Sequence, residues 1–549
     1  MEKKSHPAVK DLKSDYDKGK LSRREFIRYV TLLGVSAVGA TQMAGISIFS
    51  RPAHAASVKR GGTLRIAGSV MKMTHPAQLS WVTPSNQLRQ VAEYLTFTDR
   101  DNVTHPYLLE NWQPSDDLKT WTLNLRKGIR FNNGDAFTAD DVTFTFGQWL
   151  DEKIGSSMRG MMGGYLSSDG IEKVDDYQVK LHLKVPEIGV PEHLFHYPAL
   201  ILNHRTFEGD FLKAPHGTGP YKLETYKEGE WCILKRRNDY WKKGADGDLL
   251  PYLDSIKYID MGSEMSPMIA AIKANEIDMI DFGDFAATQA YQTLKNDPNI
   301  NVYPVTTNIT RVLRMRVDMK PWDDNRVRMA LKLCQNREKI LTLAYFGQGL
   351  EGQDAHVSPK HPEYAPVETP GYNPEKAKQL LKEAGYPDGL EVKLAVGSGW
   401  PEIVRYAEIV KQDAAPAGLK INLQTMPVSQ YWERWTEVAF GITPWTHRPL
   451  GTMVLNLAYT GDENGKPVPW NETRWVDKEF SALLKQANGT LDIEKRRRIF
   501  AKLEKIQMER GSIANAFWMN TWTITRRHVK NIIAHPNAYL KADDIWLAA

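Results

Sequence analysis

Along most of this chain the spacing of apolar side chains switches between a period of two and one near 3.6, as strands and helices do when they alternate in α/β architecture. WTLNLRKGIRFNNGDAFTADDVTFTF, residues 121–146, shows the switch compactly. Trp121, Leu123 and Leu125 fall on one strand face, and Lys127-Gly128 and Asn132-Asn133-Gly134-Asp135 predict turns. Thr138 then opens a Thr-x-x-Asp capping pattern that ends at Asp141, ahead of a helix whose Val142, Phe146 and Trp149 share a face. In NPEKAKQLLKEAG, residues 373–385, Asn373 can cap, Pro374 suits the first helical position, Ala377, Leu380, Leu381 and Ala384 form the apolar stripe, and Gly385 stops it. No low-complexity linker or internal repeat divides the chain, so its domains are expected to be interwoven.

The N-terminus departs from this pattern. Ser22-Arg23-Arg24-Glu25-Phe26-Ile27-Arg28 precedes YVTLLGVSAVGATQMAG, and Ala53-His54-Ala55 supplies a small-residue cleavage pattern. The arrangement resembles a twin-arginine export signal, implying cleavage after Ala55 and a periplasmic mature protein. A membrane anchor is the alternative, but a span needs about 20 predominantly apolar residues, and Thr, Ser, Gly and Gln interrupt this run. No Cys follows the run where a lipid anchor would need one, so the mature protein is expected to be freely soluble.

Residues 1–55 hold ten of the 71 basic and five of the 66 acidic side chains, leaving 61 of each in the remainder. The mature net charge is therefore zero, which removes support for nucleic acid or anionic membrane as a partner. Length predicts about three domains. The two cysteines, Cys232 in a strand-like run and Cys334 in a helix-like one, read as separate buried thiols, although sequence leaves a bridge open.

Five segments carry a further signal. LENWQPSDDLKTWTLNLRKGIRFNNGDAFTADDVTFTF, GTGPYKLETYKEGEWCILKRRNDYW (217–241), KANEIDMIDFG (273–283), MKPWDDNRVRMALKLCQNREKILTLAYFGQG (319–349) and GYNPEKAKQLLKEAGYPDGLEVKL (371–394) occur in that order. Together they resemble the family 5 extracellular solute-binding proteins, the oligopeptide, dipeptide and nickel-binding group serving ABC importers. The resemblance implies a two-lobed, periplasmic-binding-protein-like α/β fold, the large three-part type II variant, with the ligand cleft between lobes. Lobe I would comprise 56–94, 216–305 and 521–549, with 95–215 inserted as a subdomain, and lobe II would run over 306–520. A monomer that takes a small molecule or short peptide and meets a membrane permease is implied, with no cofactor.

Enzyme and metal readings find less in the residues. GTGPYK at 217–222 lacks the spacer and Gly-Lys-Ser/Thr ending of a phosphate loop, and Pro220 removes an amide. A turn into a strand is the better reading. His193 and His196 are three apart, with His182 and His204 nearby, but no carboxylate completes a ligand set and ordinary packing accounts for them. Neither His-Glu-x-x-His nor Gly-x-Ser-x-Gly occurs.

The chain has 16 Trp, and many must be core, Trp121, Trp149 and Trp241 among them. Trp400, Trp445 and Trp522 instead stand at the ends of predicted elements, where loops line ligand clefts. In peptide-binding members of the resembled family, a Trp followed three residues later by an Asp lies in the cleft, and the Asp meets the peptide ammonium. Here the corresponding pair is Trp445 and Arg448 in ITPWTHRPLG, so the charge is reversed. A guanidinium suits a carboxylate and repels an ammonium group. The candidate ligand-binding residues are Trp400, Trp445, Thr446, His447, Arg448, Trp522, Met71 and Met73. The alternative is that Arg448 makes a structural ion pair and an acid such as Glu472 serves the ammonium. An oligosaccharide or a metal complex also remains open as ligand, and an exported hydrolase as the competing class.

Overall fold

The computed structural model describes residues 6–45, 58–79, 82–262, 264–281, 288–462 and 464–548. Ala53-His54-Ala55 lies outside the described residues. The chain forms two compact units, the first made of Met1–Asp284, Gln289–Pro304 and Trp522–Ala549, the second of Phe285–Thr288 and Val305–Thr521. Two of the crossings fall inside long strands, Ile300–Met315 and Ile513–Arg526.

In the first unit the strand Thr63–Gly68 lies parallel to Ser255–Asp260 on one side and to Met279–Ile280 on the other. Ser255–Asp260 continues antiparallel to Trp231–Arg236, which pairs with Tyr221–Lys227. Parallel neighbours require crossovers, and the helix Met265–Lys273 provides one between Ser255–Asp260 and Met279–Ile280. A separate antiparallel sheet runs in the order Leu109–Pro114, Thr120–Leu125, Gln178–His182, Ile171–Asp175. Trp121, Leu123 and Leu125 are buried on one face of its second strand. The helix Ala139–Leu150 follows, its first turn held by Asp141 Oδ2 accepting from the Thr138 amide at 2.8 Å, with Val142, Phe146 and Trp149 fully buried.

GTGPYK enters the strand Tyr221–Lys227 over a close backbone approach. A Cβ on Gly217 would sit 2.0 Å from the Val91 carbonyl oxygen, and one on Gly219 2.5 Å from that of Gln90. These glycines serve packing. The four histidines are each engaged locally: His193 with Tyr165 Oη at 2.7 Å, His196 with Ser157, His204 with Asp141 and His182 with Glu172.

Residues 6–45 form three helices, Ala8–Asp17, Arg23–Leu32 and Ala37–Met43, within the first unit. Ser22 and Glu25 make a reciprocal capping box, so Arg23 and Arg24 stand in an ordered, exposed first turn. Phe26, Tyr29, Val30 and Leu32 are buried, Trp112 Nε1 donates to the Leu32 carbonyl at 2.9 Å, and Arg28 meets Glu192 at 3.4 Å.

The second unit is built on a sheet in the order Leu419–Met426, Leu390–Gly397, Phe440–Trp445, Ile300–Met315, Ile513–Arg526, with Gly349–Glu351 paired to the last. Leu390–Gly397 and Leu419–Met426 are parallel in continuous register, and the helix Pro401–Ala414 is their crossover. The helix Pro374–Glu383 begins as its sequence predicts, with Asn373 Oδ1 accepting from the Lys376 amide, and Ala377 and Leu381 are its buried residues. Leu380 and Ala384 are half-buried, because that flank lies at the edge of the packed stripe. Cys232 and Cys334 are free buried thiols, one in each unit.

Candidate functional site

Every residue of the strand Phe440–Trp445 is buried, and its antiparallel register sets Trp445 opposite Thr310. The strand ends at Trp445 and the chain turns through Thr446, His447 and Arg448. Asn308 fixes that turn: its amide donates to His447 Nδ1 at 2.9 Å and its side chain donates to the Arg448 carbonyl at 2.9 Å. His361 Nε2 reaches the same carbonyl at 3.0 Å. With Nδ1 accepting from an amide, the neutral His447 imidazole carries its proton on Nε2. The Arg448 guanidinium donates to Thr446 Oγ1 at 2.6 Å and to the His447 carbonyl at 2.9 Å, and is 4% exposed.

Trp445 is held just as firmly. Its indole Nε1 donates to Glu472 Oε1 at 2.8 Å, while Glu472 Oε2 accepts from Thr443 Oγ1 at 2.6 Å and faces Arg314 Nε at 2.9 Å. Arg314 also donates to the carbonyls of Val438 and Trp435. Burial raises the Glu472 carboxyl above its ordinary range, and Arg314 opposes that rise. The ring of His356 meets Trp445 edge-on at 5.3 Å and lies 5.8 Å from Trp518. Burial, reinforced by His361 and Arg448, holds His356 well below the ordinary imidazole range, so it is a neutral ring at pH 7.

A run of indoles continues from this point. Trp445 packs with Trp470 at 6.0 Å and Trp435 at 6.5 Å, Trp435 with Trp432 at 5.5 Å, and Trp432 with Trp400 at 5.6 Å. Trp435 and Trp470 are half-buried, whereas Trp400 is 1% exposed and stands at the N-terminus of the helix Pro401–Ala414, wedged against Gly397. The structure therefore brings together Trp445, Thr446, His447 and Arg448, with Trp400 at the far end of the aromatic run. Trp522, Met71 and Met73 belong to the first unit. There Trp522 stacks on Tyr291 at 4.3 Å, Met71 is half-buried with its carbonyl accepting from Tyr226 Oη at 2.6 Å, and Met73 is buried.

Sequence reasoning did not find Asn308, Arg314, His356, His361, Trp435 or Trp470. Apart from the clustering of Trp432, Trp435, Trp445 and Trp470 within 39 residues, nothing in the pattern marks them. Among the described residues, no group of three or more His, Cys, Asp or Glu is placed to hold a metal ion.

A mixed α/β chain in two units, with long strands running through two of the crossings, has the architecture of the solute-binding proteins. Residues 103–464 match the sequence profile of the bacterial extracellular solute-binding proteins, family 5, and the chain belongs to that family. Its members are the soluble extracytoplasmic components of ABC importers, which bind small molecules or peptides and deliver them to a membrane permease. Relatives include the dipeptide-binding protein of Escherichia coli K12, 26% identical over 470 residues that cover 78% of this chain and 84% of the relative. The glutathione-binding protein GsiB of Salmonella paratyphi A is 26% identical, covering 74% and 79% of the two chains. In three dimensions the chain is similar to AgaA from A. tumefaciens R10 in complex with agropinic acid, with a TM-score of 0.79, 22% identity and coverage of 89% and 99%. It is also similar to DppA from Helicobacter pylori in complex with the peptide STSA, with a TM-score of 0.77, 22% identity and coverage of 89% and 98%. The fold is thus the two-lobed type II binding-protein fold. No described helix is long and apolar enough to cross a membrane.

Proposed function

We propose that this protein captures a small to medium solute bearing a carboxylate, peptide-like or an amino-acid derivative, through Arg448 and the indole of Trp445, and releases it unchanged to its permease. The observation that carries the charge assignment is the state of Glu472. Both of its oxygens are engaged, by Trp445 on one side and by Thr443 and Arg314 on the other. An ammonium group would have to displace Arg314 from a buried pair, which costs several kcal/mol. The acid of the alternative reading is therefore committed to the protein, and the charge recognition is assigned to Arg448, in the turn that follows Trp445. A buried guanidinium positioned by Thr446 and His447 is preorganised for a carboxylate, and the Trp445 face supports the ligand's body.

The relatives support the same chemistry. Dipeptides and the peptide STSA end in carboxylates, and agropinic acid is named as an acid. Trp400 would support the Trp445 wall through the aromatic run, whereas Trp522, Met71 and Met73 belong to the first unit and carry no part of the proposal. Residues 1–55 act as a twin-arginine leader cleaved after Ala55, a reading supported by the exposed Arg23-Arg24 pair at the start of a capped helix. The protein is a monomeric binder without cofactor or catalysis.

Mass spectrometry of the small molecule that co-purifies with periplasmic protein identifies the solute. Calorimetric titration of that solute into wild type, Arg448→Lys and Arg448→Ala then tests the site. Loss of one buried charge-assisted contact predicts at least tenfold weaker binding for Arg448→Ala. Unchanged affinity, or a solute lacking any anionic group, overturns the proposal. Solute recovered chemically altered would favour the hydrolase.

A further inference from the structure

A cavity of about 280 Å³ lies wholly within the first unit, and none of the candidate ligand residues lines it. Its walls are a continuous aromatic lattice. Phe195 meets Tyr94 at 5.0 Å, Phe97 at 5.2 Å and Tyr539 at 5.3 Å, each edge to face. His535 stacks on Tyr539 at 5.2 Å and 6°. Such a lattice is rigid and presents flat apolar faces at fixed angles, which suits a planar ligand.

The charged groups around this lattice are unequally matched. Every lining carboxylate is engaged by the protein: Glu93 by Tyr240 Oη at 2.6 Å and Trp241 Nε1 at 3.1 Å, Asp99 by His105 at 2.8 Å, Asp543 by Lys242 at 2.6 Å and Lys541 at 2.7 Å, and Asp544 by Lys541 at 3.6 Å. The two guanidiniums are not neutralised in that way. Arg89 sits over the ring of Tyr539, its guanidinium carbon 3.7 Å from the ring centre, and donates to Ser85 Oγ at 2.9 Å and to the Ser85 carbonyl at 3.2 Å. Arg100 is exposed at the cavity's edge. Among the described residues neither has a carboxylate within 4.0 Å, while Arg60, Arg65, Arg316 and Arg326 do.

We propose that this cavity is a second small-molecule site, independent of the Arg448 site, taking a planar aromatic carboxylate of one or two rings. The ring system lies among Tyr94, Phe97, Phe195 and Tyr539, and the carboxylate meets Arg89 and Arg100. The volume limits the ligand to that size, because sites for larger ligands run from about 300 to 1,000 Å³. Half-exposed Ile533, also in the lining, would cover the ring face at the opening.

The test uses 2-naphthoate and its uncharged counterpart 2-naphthylmethanol, titrated calorimetrically into the mature protein. One saturable naphthoate site is expected, with the alcohol at least tenfold weaker. Arg89→Met should weaken naphthoate tenfold or more. Arg100→Gln, a change at an exposed position that leaves packing intact, should weaken it about threefold. Arg448→Ala should leave naphthoate binding in place. Absence of a saturable site, equal binding of acid and alcohol, undiminished binding by the Arg100→Gln protein, or loss of the naphthoate site in Arg448→Ala would each overturn the proposal. The last outcome would put naphthoate at Arg448 and leave the function proposed above standing.

Discussion

Replacing Glu472 with alanine removes the carboxylate that faces Arg314 in a setting where both side chains are nearly inaccessible, at 3% and 0% exposure. Deleting one partner of a buried pair leaves an uncompensated charge and costs about 3–5 kcal/mol. Trp445 Nε1 and Thr443 Oγ1 lose their acceptor as well, adding about 1 kcal/mol each. For a unit of roughly 220 residues, 1 kcal/mol corresponds to about 2–4 °C in Tm, so even the low end predicts a fall of about 6 °C or more. Because a two-unit chain need not melt in one step, differential scanning calorimetry should be read at the transition assigned to the second unit by a marker there. Local opening can be followed by hydrogen exchange at the amides of Ile442 and Thr443. The companion variant Arg314→Met with Glu472→Leu removes both charges and should recover much of the loss, since an apolar pair of similar volume is tolerated where a lone charge is not. A fall below 2 °C for Glu472→Ala, or a double variant no better than the single, would refute the view that this pair holds the indole of Trp445 in place.

Other expectations follow from the same physics. Burial pushes the Glu504 carboxyl up to about 8 from an ordinary 4.5, so the folded state keeps a proton that the unfolded state releases. Its contribution therefore weakens as pH rises from about 4.5 to 8, by at most on the order of 4 kcal/mol. Tm measured at pH 5 and pH 8 should differ less in Glu504→Gln than in wild type. Lys332 runs the other way, because burial lowers it to about 7 from 10.5 while it donates to the carbonyls of Gln507 and Met508. Its contribution to stability rises with pH between those values, and Lys332→Met should steepen the decline on the alkaline side. Gly217→Ala drives a Cβ to within 2.0 Å of the Val91 carbonyl and should cost about 1–3 kcal/mol, read as a lower denaturation midpoint. Cys232 and Cys334, both buried with thiols pushed up to about 12, should resist an aromatic disulfide reagent in native protein and both react once it is unfolded.

What the sequence by itself determined was local. The strand face of Trp121, Leu123 and Leu125, the Thr138–Asp141 cap and the Asn373-Pro374 helix start are legible because each depends on neighbours within about four residues. The ordered series of motifs carried the family, since its blocks record a whole fold. Tertiary structure alone decided what surrounds Trp445. Glu472 and His356 reach its ring, Arg314 backs Glu472, and Asn308 and His361 hold the turn that follows, Asn308 from 139 residues before His447; no periodicity encodes such meetings. Partner choice for a buried charge is likewise a matter of three-dimensional proximity: Glu472 could be read from the chain as a free acid, and only packing assigns it to Arg314. The aromatic cavity of the first unit has the same origin, because residues near 90, 195 and 540 must converge before their ring faces can enclose a volume.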